Sequence, residues 1–210
     1  MPEVLKRRIV PSTIIKLSQL DVSARTGAAL RRARGGRGKV ELYFAFDDAC
    51  SAVAVVVLAE QLRERDVDLE LLPVVVRGFE ADPAAEDKRR YAIVDARRLA
   101  RRAGLELERE VPLFPEDVSL LAEQAAAIDD LDERIAFCTG AMRALWFGGD
   151  APEAPMARDV DAVARNEARM RRRGPYDTPA AVVAGQWFFA HDRFAQILHR
   201  LDDLGWEAKK

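Results

Sequence analysis

Apolar positions along this chain change their period several times, and each change marks an element. Residues 39–46, KVELYFAF, alternate and are rich in β-branched and aromatic side chains, which predicts a strand. The segment DDACSAVAVVVLAEQLRERD follows, with aspartate at its start and charge at its end, and predicts a capped helix. Residues 67–76, VDLELLPVVV, predict a second strand, so the three form a βαβ unit with parallel strands. Over residues 82–104 Tyr91, Val94, Leu99 and Ala103 recur at helical spacing, with Gly104 at the stop. Beyond VPLFP, helices are expected over 116–127 and 132–147, and EAPMARDVDAVARNEARMRRRG supplies one more before Gly174. Finally TPAAVVA, a GQ turn and WFFA predict a hairpin, and HDRFAQILHRLDDLG closes as an amphipathic helix. This order predicts an α/β fold: one mixed sheet from residues 39–80 and 174–210, an all-helical insertion over 81–173, and an arm before residue 39.

Composition sharpens this picture only in places. With 210 residues, 49% hydrophobic and 32% charged, the chain can build a substantial core. Its longest apolar run, AVAVVVLA, is too short to span a bilayer. Its start lacks an apolar stretch followed by a small-residue cleavage site, so a cytoplasmic protein is expected. Cys50 and Cys138 form no CxxC pair, and with only two histidines no metal site is expected. Charge is uneven: residues 1–39 carry ten Lys or Arg against Glu3 and Asp21, while the whole chain is −2. Such an arm can meet an anionic partner or lie along its own acidic body. Without interleaved aromatics or a known binding fold, nucleic acid is not the expected partner.

Four stretches, in order, resemble a known family. ELYFAFDDACSAVA is similar to the opening strand and turn of the DsbA-like branch of the thioredoxin superfamily, above all the 2-hydroxychromene-2-carboxylate isomerases and kappa-class glutathione transferases. KRRYAIVDARRLARRAGLEL with VPLFP, then AMRALWFGGDAPE, then DTPAAVVAGQWFFAHDRF, resemble later motifs of the same proteins. The resemblance runs from about residue 39 to about residue 204 and leaves the basic arm outside. It implies a thioredoxin-like fold with an inserted helical domain, Pro179 as a cis-proline facing the active turn, and a groove beside it for a small molecule or peptide. It also implies glutathione as the cofactor, with Thr178, Pro179, His191 and Asp192 on the binding side.

The turn departs from the family. Where redox members carry CxxC, and the isomerases carry serine first, this chain reads DACS, with Asp48 first and Ser51 fourth. Dithiol exchange is therefore excluded. An ionised Asp48 offers no donor to a glutathione sulfur, and two like charges about 4 Å apart repel by roughly 1–4 kcal/mol. Asp48 can act as a general base, or Asp48 or Asp47 can simply cap the helix. Cys50 lies in the first helical turn, where the helix dipole lowers a thiol pKa and two neighbouring carboxylates raise it. Asp192, before the last helix, is also a cap candidate. Asp48, Ser51 and Cys50 are thus the catalytic candidates of a glutathione-dependent isomerase or transferase relative. The alternative is a non-catalytic thioredoxin-like module that binds or assembles with a protein partner.

Overall fold

The structure is a computed structural model, and it describes residues 21–78 and 82–208. The apolar-basic stretch of the arm, residues 1–20, lies outside the described residues. In chain order the elements are α1 (Val22–Ala33), β1 (Gly38–Phe44), α2 (Ala49–Gln61), β2 (Val67–Pro73), α3 (Ala85–Arg102), α4 (Pro115–Ala126), α5 (Leu131–Trp146), α6 (Val160–Arg173), β3 (Ala180–Val183), β4 (Gln186–Phe189) and α7 (Phe194–Asp203). The strands form one sheet in the order β2-β1-β3-β4. β1 and β2 run parallel with Val40 opposite Leu69, whereas β3 is antiparallel to both β1 and β4.

Alternation along β1 separates two cores. Val40, Leu42 and Phe44 point to one face and join a large cluster with α2, α5 and α7. Tyr43 and Ala45 point to the other, where Met170 of α6 covers them together with Leu72, Val74 and Val182. The helical block has no separate core, because Ile93, Val118 and Phe137 belong to the same large cluster as the sheet. Helix α2 is buried at Ala49 and at every residue from Ser51 to Leu58. Its valine-rich run is a poor helix former, yet the sheet on one side and α3 and α5 on the others enclose it, so burial outweighs propensity.

The face of α3 is not the one its spacing suggested. Tyr91 and Val94 are exposed at 60% and 43%, and the buried positions are Ile93, Ala96 and Ala100. Small side chains on that line let α3 approach α2 closely, which a tyrosine there would prevent. Strand β2 ends at Pro73, three residues earlier than its apolar run, although Val74 still donates to the Phe44 carbonyl.

The second face of the sheet also carries charge. Glu41, 6% exposed, accepts from the Tyr43 hydroxyl at 3.2 Å and from Arg169 at 2.7 Å. Arg169 also grips Glu70 with both terminal nitrogens, at 3.1 and 3.0 Å, and Lys39 closes on Glu70 at 2.7 Å. Burial opposes charge on Glu70, but the hydrogen bonds from Arg169 and Lys39 outweigh it and hold its carboxyl below the usual carboxylate range. The described part of the arm lies on the body: Ala28 is buried, Asp21 pairs with Arg200, and Arg37 meets Asp68 at 3.1 Å.

Candidate functional site

The C-terminal end of β1 feeds the N-terminus of α2 through Ala45–Asp48, and Trp146 of α5 holds this junction. Its ring is buried and its indole N–H donates to the Phe46 carbonyl at 2.9 Å. Asp48 is the N-cap, in an extended backbone conformation. Its carboxylate accepts from the backbone N–H of Cys50 at 3.0 Å and of Ser51 at 3.1 Å, and from the Ser51 hydroxyl at 2.6 Å. A fourth donor arrives from across the sheet, the Thr178 hydroxyl at 3.2 Å. The Thr178–Pro179 peptide bond is cis. β3, which follows Pro179, pairs with β1, and this pairing brings residues 48 and 178 together.

Asp47 does not cap. Its side chain is 1% exposed and pairs with Arg77 at 2.9 Å, just beyond β2. Arg77 also lies 3.8 Å from Asp177. Burial pushes the Asp48 carboxyl above the usual carboxylate range, against the pull of Arg77 and the Ser51 hydroxyl. Burial likewise raises the Cys50 thiol well above its ordinary value, and the Asp48 charge adds to this. The Cys50 sulfur faces the Ala92 carbonyl of α3 at 3.7 Å, so it is a protonated thiol docked on a helix.

A cleft of about 590 Å³ opens here. Asp48, Cys50, Thr178 and His191 line it, together with Asp47 and Arg77 and with Lys88 and Arg89 of α3. Lys88 is paired with Asp82, and Arg89 stacks over the Phe114 ring at 5.5 Å. Three of the sequence candidates stand back from the cleft. Ser51 is fully buried, its oxygen held between the Ala45 N–H and Asp48, so its hydroxyl has no free reach. Pro179 is buried behind Thr178. Asp192 caps nothing: α7 begins at Phe194, and Asp192 pairs instead with Arg193 at 3.3 Å and His191 at 3.7 Å.

Sequence reasoning missed Arg77 and the cations of α3. A signal for Arg77 did exist, since it follows the apolar run PVVV at the C-terminal edge of the sheet, where α/β folds collect ligand-binding groups. Among the described residues no group of three or more His, Cys, Asp or Glu is placed to hold a metal ion, and no helix is long and apolar enough to cross a membrane.

No protein-family model and no curated protein matches the chain. Among solved structures, it is similar to a 2-hydroxychromene-2-carboxylate isomerase with a TM-score of 0.63 over 79% of this chain and 95% of that one. The chain has the DsbA-like thioredoxin fold. At 16% identity the likeness speaks for the fold alone, and the chemistry has to be read from the residues. In this thioredoxin fold, α2 begins at the turn that DACS occupies, and the Thr178–Pro179 peptide faces it.

Proposed function

We propose that the protein is a thioredoxin-fold binding module, whose cleft takes a small molecule or a peptide segment without sulfur chemistry. One observation carries this reading: the Asp48 carboxylate already occupies the helix N-terminus, satisfying the N–H groups of Cys50 and Ser51. Those donors are the groups that would stabilise a thiolate at this point. The residues present therefore do not fit a glutathione thiolate, because its charge would meet a filled terminus and a neighbouring carboxylate. Cys50 offers no replacement, since its own thiol is held protonated.

A second reading rests on a different observation. Asp48 lines the cleft, and burial raises its carboxyl toward the range useful for proton transfer. An isomerase relative that uses Asp48 as acid or base is its content, and loss of turnover in Asp48→Asn is its signature.

Thermal melts with glutathione test the main reading. A ligand at about 100 times its dissociation constant stabilises by about 2.7 kcal/mol. The wild type is expected to show no such gain, while Asp48→Ser, which empties the terminus and keeps a hydroxyl cap, gains measurably. The wild type is expected to retain a small molecule or peptide on purification, and Ala92→Trp, which fills the cleft from α3, is expected to lose it. Stabilisation of the wild type by glutathione, together with glutathione-dependent turnover, would overturn the reading.

A further inference from the structure

The described half of the basic arm lines no part of the cleft, yet it builds a second cavity. This cavity, of about 370 Å³, lies at the other end of the sheet, between α1, the start of β1 and the β3–β4 turn. The two sites are roughly 20 Å apart, the length of a seven-residue strand at about 3.3 Å per residue. Three cations line it, Arg31, Lys39 and Arg173, together with the Glu41 carboxylate. Lys39 is paired with Glu70 at 2.7 Å. Arg173 stands 3.4 Å from Glu41, whose oxygen Arg169 already holds at 2.7 Å. Arg31 has no carboxylate partner among the described residues.

Trp206 supplies the aromatic wall of the cavity. Its ring is 6% exposed, and its indole N–H, sealed away from the cavity, has no acceptor among the described residues. Apolar surface comes from Ala28 and Val182, and a Cβ added at Gly27 would meet nothing within 4 Å among the described residues.

We propose that this cavity binds a small organic anion, with a carboxylate or phosphate group held by Arg31 and Arg173 and an apolar body lying against Ala28, Val182 and Trp206. The volume suits such a ligand. Neither the fold nor the cleft chemistry requires this site, so it stands or falls apart from the reading of Asp48.

Benzoate and phenyl phosphate, with benzyl alcohol as the neutral control, are titrated onto the full chain and followed by tryptophan fluorescence and calorimetry. At least one of the two anions is expected to bind, at least tenfold more tightly than the alcohol, and the stronger of them identifies the preferred group. Arg31→Gln is expected to weaken anion binding about tenfold, as loss of a charge-assisted hydrogen bond does. Gly27→Leu, which fills the space from a helical position, is expected to abolish it, and neither variant lowers the melting temperature. Binding of neither anion, equal binding of the alcohol, or unchanged affinity in either variant would overturn the proposal.

Discussion

At Asp48 four donors converge on one carboxylate: the N–H groups of Cys50 and Ser51 and the hydroxyls of Ser51 and Thr178. A cap removed outright costs about 0.5–2 kcal/mol, so Asp48→Ala is expected to destabilise by about 1–2 kcal/mol in urea unfolding, and Asp48→Ser by less. Arg77 has a sharper dependence on its partner. Its removal leaves Asp47 buried and unpaired, and Arg77→Ala is expected to cost about 3 kcal/mol, more than any cap variant. Cys50 tests the thiol argument directly. Because its pKa is raised, alkylation by iodoacetamide at neutral pH should be much slower than that of free glutathione, and a fast reaction would show that the thiol is activated after all.

Elements were legible from sequence wherever one period dominated. β1, α2 and β3 follow their apolar patterns closely, since burial on two faces leaves a strong signal, and half-exposed β4 is legible through the turn that joins it to β3. α3 was placed correctly, but its face was misread. Two of the three residues on its buried line, Ala96 and Ala100 beside Ile93, are alanines whose contribution is close approach, and a hydropathy pattern weights Tyr91 and Val94 instead. The ion network under α6 was not legible either, because Glu41 and Glu70 alternate along their strands as solvated residues would. Glu70 has a depressed pKa in the folded state, so its contribution is present above the ordinary carboxylate value of about 4.3 and is lost as pH falls through the folded value. Glu70→Gln is therefore expected to cost about 1.5–3 kcal/mol at pH 7, and the gap to wild type should close below about pH 4 in equilibrium unfolding.

Over the whole molecule, sheet order does what local sequence cannot. β3 returns antiparallel beside β1, and that single pairing sets Thr178 against Asp48 across 130 positions of chain. The family-like order of motifs carried this juxtaposition before any coordinates did, because the turn and the Thr178–Pro179 pair are the two segments it joins. Arg77 escaped notice because its partner, Asp47, lies thirty residues away, and only the parallel β1–β2 pairing unites them. The arm shows the same limit: its charge was evident, while its settling on Arg200 and Asp68 depends on where α7 and β2 lie. The central claim is that the terminus of α2 is closed to a thiolate by the chain's own carboxylate. Difference absorbance near 240 nm, recorded as glutathione is mixed with the wild-type protein at neutral pH, measures thiolate directly. No new absorbance is expected beyond that of the separate solutions, and a saturable thiolate band would contradict the account.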